Sequence, residues 1–283
     1  MLKRFQQHLP EYLMEATELA LFLVVAGMMS VLFESPYSPV HQAIPNGTLR
    51  RILVGLVMGC TAIAHYPENL SPIEGAAIWM QYITAYGALV EYGQIKAGDF
   101  VLITTASSSV DYSAIQIAKA QEAIAIATTR SKAKKQMLLD KGADHVIVTS
   151  NEDLVSRVME ITNGHGIDLI FDAIAGPILD TLAMVAALGA TIFVYGALSS
   201  DTGTPFPLFL ALQKGLKVQG YTLFEITTNS VKLEHAKQYI YEGLKSRELV
   251  PILNRTFTLD QIVEAHRYME SNQQNGKITV ATA

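Results

Sequence analysis

Phe100-Val-Leu-Ile-Thr104, Thr105-Ala-Ser-Ser-Ser-Val-Asp111 and Tyr112-Ser-Ala-Ile-Gln-Ile-Ala-Lys119 read in succession as a strand, a tight turn and a helix. An apolar run without polar alternation suits a strand covered by helices on both faces. The pattern repeats downstream, with further strands expected at Ile124 to Thr128, His145 to Val148, Asp168 to Asp172, Thr191 to Tyr195 and Lys217 to Tyr221. Helical spacing fills the gaps at Tyr112 to Gln121, Lys132 to Lys141, Asp153 to Thr162 and Pro177 to Leu188, and Gly142 and Gly189 are expected to close helices. Short β-rich runs alternating with helices make βαβ units, and six of them complete a doubly wound parallel sheet of the α/β class.

The turn carries the first functional signal. Backbone amides reach a pyrophosphate at a helix N-terminus only where the turn residues are small, and Ser107, Ser108 and Ser109 are small and bring hydroxyl donors. A serine-rich turn that merely caps a helix is an equal alternative. The second strand ends in Ala127-Thr-Thr-Arg130-Ser131, where a site for NAD would place an acid on the ribose diol. No acid stands there; Arg130, Ser131, Lys132, Lys134 and Lys135 do, a set able to pair with the extra phosphate of NADP(H).

Composition narrows the classes. Half of the 283 residues are hydrophobic and 17% are charged, which suits a well-buried core of about two domains. A net charge of -5 without a basic reading helix argues against nucleic acid as a partner. The single cysteine, Cys60, excludes an internal disulfide and the multi-cysteine cages of structural zinc, and the scattered histidines offer no ligand pair, so no metal is expected.

The first 65 residues read differently. Two apolar runs, Leu19 to Phe33 and Ile52 to Ala64, flank a proline-rich loop, and Lys3, Arg4, Arg50 and Arg51 bracket them. Both are shorter than the roughly 20 residues that cross a bilayer. They are compatible with a transmembrane hairpin whose outer ends face the cytoplasm, or with two buried helices. A signal peptide is not expected, because Glu11, Glu15 and Glu18 interrupt its pattern. Leu13-Met-Glu15-Ala and Ile52-Leu-Val-Gly-Leu-Val-Met-Gly resemble the first two helices of the major intrinsic protein (aquaporin-like) family, without either Asn-Pro-Ala motif of its pore.

From Pro67 the chain resembles the zinc-independent quinone-oxidoreductase branch of the medium-chain dehydrogenase/reductases. The resemblance rests on Ala97-Gly-Asp-Phe-Val-Leu-Ile, the Ala-Ser-Ser-Ser-Val turn, Ile126-Ala-Thr-Thr-Arg-Ser, Lys141-Gly-Ala-Asp-His-Val-Ile, Ile167-Asp-Leu-Ile-Phe-Asp-Ala, Leu259-Asp-Gln-Ile-Val-Glu-Ala-His-Arg and Gly276-Lys-Ile-Thr-Val. It implies a Rossmann domain over residues 93–225, preceded by an apolar hairpin (1–65) and a remnant linker helix (66–92). Residues 226–283 would return to an N-terminal barrel domain that the sequence lacks. The implied activity is hydride transfer from NADPH to a quinone or an activated carbonyl or alkene. The implied cofactor contacts are Thr84, Ser107, Ser108, Ser109, Val110, Thr129, Arg130, Ser131, Lys134, Tyr195, Gly196 and Ala197. No catalytic residue carries over.

Three departures accompany the resemblance. Asp111 stands where the family's turn ends in glycine, and its carboxylate either competes with the pyrophosphate or serves as a helix N-cap. Thr149 replaces a ring near the adenosine phosphate. The closing segments, Ile252 to Leu259 and Lys277 to Ala281, lose their barrel partners, which predicts a homo-oligomer, membrane association or poor solubility. A cytoplasmic enzyme acting on a small molecule is therefore weighed against a silent nucleotide-binding module tethered to a membrane by residues 1–65, and against a chimeric fragment.

Overall fold

The computed structural model describes residues 66–199, 203–271 and 273–281. The expected N-terminal hairpin and its aquaporin-like resemblance lie outside them. Among the described residues no helix is long and apolar enough to cross a membrane. Residues from Tyr66 to Ala283 make one compact unit.

Its centre is a six-stranded, all-parallel sheet of β1 (Phe100–Ile103), β2 (Ile124–Thr129), β3 (His145–Val148), β4 (Ile167–Asp172), β5 (Ala186–Val194) and β6 (Lys217–Gly220), in the order β3-β2-β1-β4-β5-β6. The chain builds outward from β1 to β3 and then restarts beside β1 with β4. This reversal opens a crevice at the carboxyl ends of β1 and β4, the place where doubly wound sheets receive ligands.

Alternate residues of each strand feed two cores. Val101, Ile103, Phe171 and Phe193 pack on one face with Tyr82, Leu89, Ile115 and Ile240, while Leu102, Ile126, Ile170 and Ile192 pack on the other with Val158 and Leu182. After a short α1 (Pro72–Gly75), the first layer is built by α2 (Trp79–Tyr86), α3 (Ser109–Ala120) and the long helix Ser230–Ser246. α4 (Lys135–Asp140), α5 (Leu154–Ile161) and α6 (Ile178–Val185) connect the strands between β2 and β5. α7 (Leu208–Lys214), β6, α8 (Phe224–Thr227) and α9 (Ser230–Ser246) follow.

Two expectations change. The helix expected over Lys132 to Lys141 is a 3-10 turn, Lys132–Lys134, followed by α4. The helix expected to reach Leu188 stops at Val185, because Ala186 turns extended and starts β5 opposite Ile167. Pairing then skips to Leu169 with Thr191, and Gly189, at φ 74°, sits in the intervening bulge rather than on a helix end. Gly142 does follow α4, its N–H bonded to the Leu139 carbonyl.

The closing segments find each other. β7 (Leu253–Thr258) and β8 (Lys277–Ala281) form a parallel two-stranded sheet, with α10 (Ile262–Glu270) as the crossover.

After α2 the chain widens into a π-helical turn, Gly87–Tyr92. A Cβ at Gly87 would run into the Tyr221 hydroxyl and lie 2.7 Å from Ile226 Cγ1. Both neighbours are buried, so neither can yield without opening the core between α2 and the segment after β6. Gly87→Ala is therefore expected to destabilise the fold by about 1–3 kcal/mol, the usual cost of overpacking, read as a lower urea midpoint at unchanged slope. An unchanged midpoint would refute the close approach.

Candidate cofactor site

The crevice floor is built from two strand ends. The Thr104 hydroxyl, one residue past β1, donates to Asp172 Oδ1 at 2.7 Å, and the Ala173 N–H donates back to the threonine oxygen at 3.1 Å. Asp172, fully buried at the end of β4, also accepts the N–H groups of Ile174 (3.1 Å) and Ala175 (2.8 Å). This pair had no counterpart among the expected site residues. Their positions at the ends of two strands flanking a switch point were the only available signal.

Above the floor lies the serine turn. Ser108 is the N-cap of α3, and Asp111 is its N3 partner rather than the cap itself: the Ser108 N–H donates to Asp111 Oδ2 at 3.0 Å, and the Asp111 N–H reaches Ser108 Oγ at 3.4 Å. This is a capping box. The Ser109 and Val110 N–H groups belong to the first helical turn, which has no intrahelical acceptors, and meet none among the described residues. The turn is braced from behind by Ala106 N–H on the Thr128 carbonyl and by Gly276 N–H on the Ser107 carbonyl at 3.3 Å.

The basic cluster after β2 divides by role. Lys134 reaches back across the turn and donates from Nζ to Ser107 Oγ at 3.0 Å. Burial, and then the neighbouring Arg130 guanidinium, push its ammonium below the ordinary lysine range. Arg130 is exposed beside it, and Lys132 points to solvent. Lys135 instead pairs loosely with Glu152 at 3.9 Å. Thr129 is buried and takes the Ser131 N–H on its hydroxyl at 3.1 Å, which shapes the exit from β2. Thr149 is exposed, its N–H on the Thr129 carbonyl.

Tyr195 joins the far side. Its hydroxyl donates to Asp111 Oδ1 at 2.7 Å, and its ring lies nearly flat on Phe171, 4.0 Å between centroids. Gly196 and the exposed Ala197 follow it at the carboxyl end of β5. Thr84 stays apart: it is buried in α2, with its hydroxyl donating to the Met80 carbonyl one turn back.

Asp111 is the dominant electrostatic feature. It is 1% exposed, and burial pushes its carboxyl up to about 6 against the pull of its bonds from Ser108 and Tyr195. Tyr195 is driven up in turn by burial and by that carboxylate. The folded carboxyl thus keeps its proton to higher pH than the unfolded one. Its contribution to stability is full below about pH 4 and is lost as pH rises through about 6. Asp111→Asn is expected to gain ~1–3 kcal/mol of stability at pH 8, from 1.36 kcal/mol per tenfold change, and to gain little at pH 4. Chemical denaturation at both pH values checks this, and a pH-independent gain would contradict it.

A family profile described as zinc-binding dehydrogenase matches residues 112–237. Human quinone oxidoreductase is 28% identical over 203 residues, covering 71% of this chain and 59% of that protein. A phenolphthiocerol/phthiocerol polyketide synthase from Mycobacterium tuberculosis is 28% identical over 220 residues, covering 76% of this chain and 10% of that protein. Among solved structures, Escherichia coli quinone oxidoreductase complexed with NADPH superposes with a TM-score of 0.71 at 26% identity, over 77% of this chain and 68% of that one. The C-terminal 77% of the chain has a quinone-oxidoreductase-like fold of the medium-chain dehydrogenase/reductases. The chain thus spans a tenth of the polyketide synthase and 59% of the human protein. Within this quinone-oxidoreductase-like fold, no three His, Cys, Asp or Glu side chains among the described residues converge as metal ligands, so a resident zinc does not fit them.

Proposed function

We propose that this protein is an NADPH-dependent oxidoreductase of the quinone-reductase type, acting on a quinone or an activated carbonyl or alkene. The observation that carries the reading is the Arg130–Lys134 pair beside the serine turn: two cations held close, one of them half-buried against Ser107. Among the described residues no carboxylate pairs with Lys134, and a phosphate dianion relieves such an arrangement. The donor set fits NADP(H). Arg130, Ser131 and Lys134 would hold the 2′-phosphate, and the amides of Ser109 and Val110 the pyrophosphate. Tyr195, Gly196 and Ala197 would border the nicotinamide. The bound cofactor supplies the hydride; the chain orients it and narrows the crevice floor through Thr104 and Asp172.

The NADPH-bound bacterial quinone oxidoreductase of the same fold supports the cofactor assignment. Fluorescence titration of the full chain with NADPH and NADH tests it. Preferential NADPH binding is expected, and binding of neither would overturn it.

A further inference from the structure

We propose that the buried Asp111 carboxylate, held on the Ser108 N–H, stands beside the anion seat at the head of α3, and that dinucleotide binding is coupled to uptake of one proton at this residue. The inference rests on the cofactor reading above and adds a regulator to it. Asp111 Oδ2 takes the Ser108 N–H, and Oδ1 takes the Tyr195 hydroxyl, so one carboxylate bridges the phosphate turn and the end of β5. It cannot swing aside cheaply. The side chain is almost wholly buried, and Tyr195 is pinned by its stack on Phe171.

A pyrophosphate seated on the part-exposed Ser109 and Val110 amides would bring further negative charge against this carboxylate, which is itself shielded from water. Like charges forced together there are relieved by protonation of one of them, as when two carboxylates share one proton. The proton comes from solvent and neutralises Asp111. The resulting acid keeps its carbonyl oxygen, Oδ1, for the Tyr195 hydroxyl, and the proton resides on Oδ2.

The groups packed around Asp111 do not substitute for it. Tyr195, from the end of β5 with Asp172 behind it, is pushed well up, and Tyr112 on α3 is pushed up to about 12. Ser107 and Ser108 do not titrate. Lys134 is engaged on Ser107 Oγ, with Arg130 beside it. Among the described residues no cation figures among the influences on Asp111, whose carboxyl already sits near 6 before ligand arrives.

Calorimetric titration of the full chain with NADPH at pH 7.5, in two buffers of different ionisation enthalpy, tests the coupling. The 2′-phosphate itself titrates near pH 6, so each measurement is compared with Asp111→Asn, which leaves that contribution in place. Wild type is expected to take up about one proton more per NADPH than Asp111→Asn. Above about pH 6 the ratio of their dissociation constants should widen towards tenfold per pH unit. Asp111→Gly should follow the asparagine variant. Binding by all three with equal proton uptake and parallel pH profiles would overturn this inference while leaving the cofactor reading intact. Absence of NADPH binding by all three down to pH 5.5 would overturn both.

Discussion

Replacing Arg130 and Lys134 together by alanine is expected to weaken NADPH binding about a hundredfold while changing NADH binding by less than about threefold. The charge-assisted hydrogen bonds of each cation to phosphate are worth about 1.5–3 kcal/mol, and those of Arg130 less because it is exposed and screened. Lys134 carries the larger share. It is half-buried, already oriented by Ser107 Oγ, and loses little conformational freedom on binding. NADH lacks the phosphate that these groups would meet, so its affinity reports only on the integrity of the turn. Parallel losses for both nucleotides would mean that the two residues merely support the turn, and the 2′-phosphate assignment would fall.

Asp172→Ala is expected to cost about 3–5 kcal/mol of stability. The carboxylate serves three donors at once, the Thr104 hydroxyl and the Ile174 and Ala175 amides, in a fully buried setting. Each donor left unmet in the interior costs about 1–3 kcal/mol, and a water admitted to the gap recovers part of it. Asp172→Asn keeps a carbonyl oxygen for some of these donors and should lose about half as much. Urea unfolding of the two variants gives the comparison. Equal, small losses would show that the strand ends are held by the sheet alone, without the Thr104–Asp172 tie.

Much of this was legible in the chain. Continuous apolar runs such as Val101-Leu-Ile103 and Leu169-Ile-Phe171 can be satisfied only by burial on both faces, and all six strands form close to their expected places. The errors fall at ends. β5 starts at Ala186 because an extended residue after α6 pairs with Ile167 before the Gly189 bulge, a choice made by the neighbouring strand. The serine turn and the cations after β2 were readable because short-range chemistry defines them. The division of labour between Lys134 and Lys135 was not, since it depends on where Ser107 and Glu152 lie.

Asp111 shows the boundary most clearly. From the sequence it stood out as a carboxylate where the resembled family keeps glycine, either a cap or a competitor for the phosphate seat. The structure makes it a member of the capping box and also binds it to Tyr195, 84 positions away. Likewise Thr104 and Asp172 stand 68 positions apart and meet only because β4 returns beside β1. Apolar periodicity and turn chemistry are properties of neighbouring residues, so the sequence by itself determined the αβ alternation, the six strands and the serine turn. Which strand ends lie side by side is decided by sheet order. Only the tertiary structure could therefore join a buried carboxylate, a stacked tyrosine and a serine turn into one site.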